Sequence, residues 1–405
     1  MIVGILTNTY PPDLNGVCAA VKNLKSGLED CGIRVVVATP KIEGRIYSSE
    51  VFPIRAIATN DDVSPDLAIP YFYINQVTEF FRREGVTIIH THDTMIGGPE
   101  GIAIAAKLNV PCIHTFHTFI EQYPYLNLPL RNQAIRKMIR IFLNNYNHIT
   151  APSIKVYKYL SGLGVRTHMT NLVNVTGCND LEPMKYDVEL GKIIGLNADD
   201  FVFLTFCRVA KEKSVEVGLI ALLPVLKKHP NTKYIIAGQG PEVENLQTLV
   251  TYLGINSQVI FTGKYELNDL NALSSLASVF IFTSHTENLP TNLLEAMSLG
   301  LPVISVDDEA VRYLLKPEEN GYVGSVDQMT QYAEYLYQNP DRIPELSANA
   351  RQTAVDFQNQ NITQKYIDLY IRVADEFAYK QENPDKKINR FYKFWRETVI
   401  GLKRK

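Results

Sequence analysis

Short runs of apolar, β-branched residues alternate with helix-patterned segments along most of the chain, and this alternation restricts the fold more than any other feature. The runs are Ile2–Leu6, Arg34–Ala38, Thr87–His90, Cys112–Phe116 and His148–Ala151 in the first half. Val202–Cys207, Tyr234–Ala237, Val259–Thr262, Val279–Thr283 and Val303–Ser305 follow in the second. Strands of continuous apolar character are covered on both faces, which calls for parallel sheets with crossover helices. The rhythm breaks at residues 179–200, NDLEPMKYDVELGKIIGLNADD, which are polar and weakly periodic. A chain of 405 residues also exceeds one ordinary core. The sequence therefore predicts two doubly wound, Rossmann-like α/β domains over residues 1–180 and 201–375, with a linker over 181–200. A C-terminal helix and basic tail occupy 376–405, the helical pattern itself starting near Gln358 and ending by Pro384.

Composition narrows the class. No run of 18 apolar residues exists, so no transmembrane helix is expected. The opening MIVGILTNTYPP lacks a basic segment before its apolar residues and reads as a buried first strand rather than a signal peptide. Five scattered cysteines, Cys18, Cys31, Cys112, Cys178 and Cys207, have no CxxC spacing, which favours a reducing cytoplasm over a zinc site or a disulfide frame. Residues 386–405 hold eight cations and one anion, a net +7 against −3 for the whole chain, so residues 1–385 carry −10. That asymmetry points the tail toward an anionic surface, a solvated terminal helix being the equal alternative. Nothing in the charge pattern calls for a nucleic-acid partner.

In open parallel sheets, ligands bind outside the carboxyl ends of the strands. The chemistry-bearing residues cluster at such ends in both halves: Gly16, His117, Arg208, Gly238-Gln-Gly240 and Glu287. The expectation is a ligand held in a cleft between two domains. Arg208 and Lys213, five residues apart across a strand-to-helix turn, offer a guanidinium fork and a point charge suited to a diphosphate. Solvated surface cations are the plainer alternative. In TENLPTNLLEAMSLGLPV, residues 286–303, Pro290 fits the first turn of a helix, Leu293, Leu294 and Met297 form its inward stripe, and Gly300 closes it. Glu287 then precedes the helix and Glu295 lies one to two turns inside, roughly 10 Å away. Two acids there would repel bare phosphate but accept hydrogen bonds from sugar hydroxyls. Gly16, in YPPDLNGVCAAV, opens a helix without forming a Walker or GxGxxG loop, and either lets the backbone approach a ligand or, as the plainer reading, makes an ordinary turn. His90, His92 and His117 lack carboxylates at metal-ligand spacing, so no metal site is expected. His117 stands equally well as a group beside a reacting sugar or as a satisfied buried histidine.

Read together, RVAKEK, the glycine-bearing strand exit, Glu287 and Glu295 in an E-x7-E pattern, and EAMSLGLPVI resemble the retaining glycosyltransferases of family 4. YPPDLNGV, IIHTHD, TFHT and ITAPS are similar to that family's first domain, so the resemblance spans about residues 1–375. TFHTFIEQYPYL followed by a basic helix looks like the bacterial α-monoglucosyldiacylglycerol synthases. The resemblance implies a GT-B fold, with two Rossmann-like domains facing a central cleft. It implies that Glu287 holds donor-sugar hydroxyls and Glu295 the ribose hydroxyls. Asn288 and the main chain at Leu289 and Thr291 face the sugar and diphosphate, whose charge Arg208 and Lys213 carry. Gly16 lies against the donor phosphates and the acceptor, and His117 contacts the transferred sugar. Three departures stand out: Pro290 replaces a glycine, Asn15-Gly16 a double glycine, and Asn179 an aspartate in VNVTGCND.

The implied reaction is transfer of glucose, or another hexose, from a UDP-sugar to a lipid hydroxyl with retention, diacylglycerol being the leading acceptor. No tightly bound cofactor is implied, and donor binding needs no divalent metal, with Mg²⁺ a candidate activator. Rival readings are transfer to a soluble acceptor, a protein or a teichoic-acid polymer, and a non-catalytic partner subunit. Residues 128–144, LPLRNQAIRKMIRIFLN, carry Arg131, Arg136, Lys137 and Arg140 with no acid and have apolar residues at helical spacing. Such a helix either lies in a bilayer interface or packs its apolar stripe on the domain and exposes its cations. The first alternative places the protein on the inner face of the cell membrane.

Overall fold

A computed structural model describes residues 1–11, 16–42, 44, 46–58, 68–93, 97–117, 119, 129–175, 181–285, 287–357 and 359–382. The chain divides into two compact units, residues 1–176 with 359–405, and residues 177–358.

In the first unit, strands β1 (Ile2–Leu6), β2 (Arg34–Pro40), β3 (Val51–Ile54), β4 (Ala56–Ala58), β5 (Ala68–Pro70), β6 (Ile88–Thr91), β7 (Cys112–Thr115), β8 (His148–Ala151) and β9 (Met169–Asn171) alternate with helices. The helices are α1 (Gly16–Asp30), α2 (Ile74–Arg83), α3 (Gly98–Leu108), α4 (Pro129–Leu143) and α5 (Ile154–Gly162). Seven strands form one sheet in the order β3-β2-β1-β6-β7-β8-β9, every neighbouring pair parallel. The remaining two make an antiparallel hairpin.

The second unit contains α6 (Val188–Ile193), β10 (Phe201–Phe206), α7 (Val215–Lys228), β11 (Thr232–Ala237), α8 (Val243–Leu253), β12 (Val259–Gly263), α9 (Leu267–Ser275) and β13 (Val279–Phe282). It continues through α10 (Thr291–Ser298), β14 (Val303–Val306), α11 (Glu309–Arg312), β15 (Gly321–Gly324), α12 (Val326–Gln338) and α13 (Ile343–Asp356). Its six-stranded sheet runs β12-β11-β10-β13-β14-β15, again all parallel. Both orders step outward from a central first strand and then reverse direction, so each unit is doubly wound around its own switch point. Burial follows the continuous apolar pattern: Phe203, Leu204 and Phe206 of β10, and all of Val279–Ile281, are fully enclosed.

Three expectations shift. The stretch read as a linker folds with the second unit, where Asp187 caps α6 by accepting from the Leu190 amide at 3.0 Å. The long helix α14 (Asn359–Glu382) belongs with the first unit, so the second ends at residue 358 rather than 375. Its buried Tyr366, Tyr370 and Val373 account for this, Tyr370 Oη meeting His90 Nδ1 at 2.8 Å. Finally, β3, β4, β5, β9 and β15 are not legible in the sequence, β4, β5 and β9 being three residues long, β3 bearing Pro53 and β15 bearing Gly321 and Gly324. Pro384 and the basic tail lie outside the described residues.

Candidate active site

In the second unit, β10 ends at Phe206, and the chain turns through Arg208 into a short 3₁₀ turn, Lys211–Lys213, before α7. Two glycines hold this turn against the neighbouring strand exit. A Cβ on Gly238 would stand 1.9 Å from the Cys207 carbonyl oxygen, and one on Gly240 2.1 Å from that of Val209. That closeness lets the Val209 amide donate to Gln239 O at 2.9 Å and the Glu242 amide to Val209 O at 3.1 Å. A generic-looking Gly-Gln-Gly is thus a steric requirement for the Arg208 turn.

Lys213 points at the loop after β13. Its ammonium donates to Glu287 Oε1, which also accepts from Ser284 Oγ at 3.0 Å. Thr283 Oγ1 donates to the Lys213 carbonyl at 2.8 Å, so two loops from different strands are clamped together. Burial works against the lysine's charge, but the Glu287 carboxylate more than offsets it, and Lys213 titrates above its ordinary value. Arg208 is half exposed and bonds to Glu212 Oε1 on its own turn.

Helix α10 starts at Thr291, one residue later than expected, with Pro290 as its extended N-cap at ψ 96°. Pro290 therefore contributes its carbonyl to the helix, accepting from the Leu294 amide at 3.3 Å. Leu293, Leu294 and Met297 are fully buried, and Gly300 at φ +79° terminates the helix as read from sequence. Burying three such side chains stabilises by roughly 1.5–3 kcal/mol each, which fixes the rotation of α10. That rotation turns Glu295 inward, where burial pushes its carboxyl up to about 7 while the Lys213 charge pulls it down. Lys213 thus stands in the field of both acids. Leu289 and Pro290 are buried, and Asn292 Nδ2 donates to Phe206 O at 3.1 Å, tying the helix start to the end of β10. Tyr265, beside Phe206, has its hydroxyl pushed well up by burial and then by Glu295. Sequence reading gave no sign of Tyr265 or Ser284.

In the first unit, His117 follows β7 and is half-buried. Its Nε2 lies 2.9 Å from His92 Nδ1, and burial pushes the imidazole down to about 3, so it is neutral at physiological pH. His90 has both ring nitrogens engaged, Nδ1 by Tyr370 and Nε2 by Thr115 Oγ1 at 2.7 Å. The histidines of IIHTHD are therefore packed partners of one another and of hydroxyls. Asp93 accepts from the Asn8 amide at 2.6 Å, and burial pushes its carboxyl up to about 7. Gly16 is the first residue of α1, exposed, and a Cβ built on it would meet no atom within 4 Å. Among the described residues, packing does not require glycine there. Asn15, Thr118, Cys178 and Asn179 lie outside the described residues.

Helix α4 resolves its two readings in one respect. Ile135, Ile139 and Leu143 are buried in the core of the first unit, while Arg136, Lys137 and Arg140 are exposed. The apolar stripe is committed to the domain, so what α4 presents outward is charge. The Arg131 side chain lies outside the described residues.

Two doubly wound units with their polar residues at strand C-termini are the architecture of the GT-B glycosyltransferases. The chain superposes on Anabaena Alr3699/HepE, solved in complex with UDP, with a TM-score of 0.74 and 18% identity over 91% of this chain and 99% of that one. It superposes on sucrose-phosphate synthase from Thermosynechococcus elongatus with a TM-score of 0.73 and 18% identity, covering 92% and 98%. Residues 14–172 match the Glycosyltransferase Family 4 model, and residues 189–353 match Glycosyl transferases group 1. The chain thus carries family 4 and group 1 glycosyltransferase domains in its two halves and is a hexosyltransferase. Among its relatives is the α-monoglucosyldiacylglycerol synthase of Acholeplasma laidlawii, 25% identical over 93% of this chain and 98% of the relative. The protein of the same name from Streptococcus pneumoniae is 26% identical over 99% and 92%. Among the described residues, no helix is long and apolar enough to cross a membrane.

Proposed function

We propose that this enzyme transfers glucose from UDP-glucose to the free hydroxyl of diacylglycerol, with retention of the anomeric configuration. The observation that carries the reading is full-length similarity to two relatives from different organisms, both named for that glycolipid. Solved neighbours that hold UDP and UDP-glucose support the choice of donor.

The second unit's geometry suits this chemistry. Breaking the bond between sugar and diphosphate adds one negative charge to the two that the diphosphate already carries. Arg208 and Lys213 stabilise that developing charge without proton transfer, and fixed charges in a partly dry site act more strongly than in water. Glu287 takes hydroxyls of the sugar, and Glu295 those of the ribose. Asn288 and the amides near Leu289 and Thr291 complete the contacts to sugar and diphosphate. In the free enzyme the Lys213 ammonium is occupied by Glu287, so donor binding redistributes an existing ion pair. Gly16 gives the donor phosphates and acceptor close access to the backbone, and the neutral His117 hydrogen-bonds the sugar being transferred. The incoming hydroxyl attacks the face the nucleotide leaves, and the departing phosphate accepts its proton, so no protein nucleophile is needed.

A lipid acceptor requires the enzyme at a membrane, and the exposed cations of α4 supply an electrostatic docking face on the inner leaflet. Labelled UDP-glucose offered with diacylglycerol vesicles and, separately, with soluble teichoic-acid and protein extracts tests the reading. Label in a chloroform-soluble α-glucoside is the expected result. Label confined to soluble product overturns the lipid acceptor, and no transfer or donor hydrolysis at all favours a non-catalytic subunit.

A further inference from the structure

The first sheet has a second polar site at its other edge. Asn147 precedes β8, and Arg166, Thr167 and His168 precede β9, so they lie at the N-terminal ends of the strands whereas His117 and Gly16 lie at the C-terminal ends. Strands of about four residues separate the two edges by roughly 13 Å. At this edge is an open hollow of about 540 Å³ whose lining includes Arg140, Asn144, Asn147, Arg166, Thr167 and Lys380. Among the described residues, its lining contains no Asp or Glu.

Three observations make this more than a solvated basic face. Arg140 from α4, Arg166 from the loop before β9 and Lys380 from the last turn of α14 come from distant parts of the sequence, yet they converge on one hollow. None of the three forms an ion pair among the described residues, although Arg34, Arg82, Arg83 and Lys25 elsewhere on this unit all do. The frame that carries them is built rather than loose. Asn144 Oδ1 accepts from the Arg166 amide at 2.6 Å, Thr167 Oγ1 donates to Leu143 O at 2.7 Å, and Gln381 Nε2 donates to Asn109 Oδ1 at 2.6 Å beside Lys380. Asn147 gives its Oδ1 to the Cys112 amide at 2.8 Å, which leaves its N–H donors for a ligand. The local field is positive as well: the His148 imidazole is held down to about 4, by burial first and then by Arg372 and His168.

We propose that this hollow is a second anion site, taking a phosphate group that bears a small polar substituent such as glycerol. Arg140 and Arg166 carry the oxygens by their guanidinium forks, Lys380 adds charge, and the Asn147 amide donates alongside. Three uncompensated cations call for more charge than a carboxylate brings, and forked donors match a multi-oxygen anion. The volume exceeds what a bare ion fills. Because the hollow lies at the strand ends of the first sheet opposite those that carry His117 and Gly16, its ligand is an effector or anchor and takes no part in the transfer.

The phosphate could be free or borne by a lipid, and two arms separate these. The full-length enzyme is titrated calorimetrically with sn-glycerol 3-phosphate, and co-sedimented with phosphatidylcholine vesicles with and without phosphatidylglycerol. Wild type is compared with Arg166→Ala/Lys380→Ala, with the milder Arg166→Gln/Lys380→Gln, and with Arg82→Ala/Arg83→Ala as an equal charge change elsewhere on the unit. All carry a UDP-glucose titration, expected to stay within twofold of wild type, which reports on folding and on the donor site separately. The site predicts at least a tenfold loss for both hollow variants and less than twofold for the control. Loss in the soluble arm identifies a free phosphorylated effector, and loss only with phosphatidylglycerol identifies a lipid headgroup. Equal effects of hollow and control variants, or none in either arm, overturn the proposal.

Discussion

The Lys213 ammonium and the Glu287 carboxylate form a half-buried ion pair across two strand-end loops, and Ser284 donates to the same carboxylate oxygen. Arg208, by contrast, pairs with Glu212 at the open surface. The two cations therefore differ in what their removal does to the protein. Lys213→Ala leaves Glu287 without its countercharge and lowers both stability and turnover. Arg208→Ala should leave stability within about 0.5 kcal/mol, because exposed pairs contribute little. Both variants should lose about 10²-fold or more in kcat. Urea unfolding alongside steady-state kinetics checks this, and activity within a few-fold of wild type removes the residue from the site.

Glu287 and Glu295 should separate in binding. Glu287→Ala cripples transfer while UDP affinity stays nearly intact, since Glu287 serves the sugar. Glu295→Ala weakens UDP itself. Calorimetry with UDP decides, and equal losses for the two variants would defeat the assignment.

The raised carboxyl of Glu295 gives a pH dependence of definite sign. Its pKa is about 7 in the folded chain against an ordinary 4.5, so the native state holds the proton more tightly. The corresponding stability is fully present below about 4.5 and is lost as pH rises through about 7. Glu295→Gln should therefore be more stable than wild type by on the order of 2 kcal/mol at pH 8, with the difference shrinking toward pH 5. Binding has the opposite slope, because ribose hydroxyls donate best to the ionised acid. UDP-glucose affinity should rise between pH 6 and 8 in wild type and stay flat in the Gln variant, read by calorimetry at both pH values.

Three glycines should respond differently to one methyl group. Gly240→Ala and Gly238→Ala drive Cβ into the Val209 and Cys207 carbonyls, so unfolding midpoints should drop by the equivalent of about 2 kcal/mol or more. Gly16→Ala meets no chain atom and should leave the midpoint unchanged while lowering kcat/KM. A stable, fully active Gly16→Ala would show that no ligand approaches there.

Docking through α4 should be electrostatic. Reversing the charges of Arg136, Lys137 and Arg140 abolishes co-sedimentation with phosphatidylglycerol vesicles and leaves UDP affinity unchanged. Wild-type binding should fall steeply between 50 mM and 500 mM salt, since α4 keeps its apolar stripe inside the core. Binding that survives the triple change and deletion of residues 386–405 excludes this surface.

Much of the molecule is written in local pattern. Continuous apolar runs such as Val35–Ala38 and Val279–Phe282 specify strands buried on both faces, and parallel strands demand the helices that cover them. The apolar stripe of Leu293, Leu294 and Met297 fixes which residues of α10 face inward, because helical periodicity and apolar burial leave one rotation. The polar residues at strand ends follow from the same periodicity. What pattern could not give is proximity between residues far apart in sequence. The Lys213–Glu287 pair spans 74 positions and exists because β10 and β13 are neighbours in a sheet whose order is not the chain order. The need for Gly238 and Gly240 arises from backbone of another strand, invisible to a local reading. The return of α14 to the first unit rests on Tyr370 reaching His90 across 280 residues. The hollow of Arg140, Arg166 and Lys380 has no joint sequence signature: Arg140 reads only as part of the basic face of α4, Arg166 and Lys380 read as solvated surface, and only packing brings the three to one place.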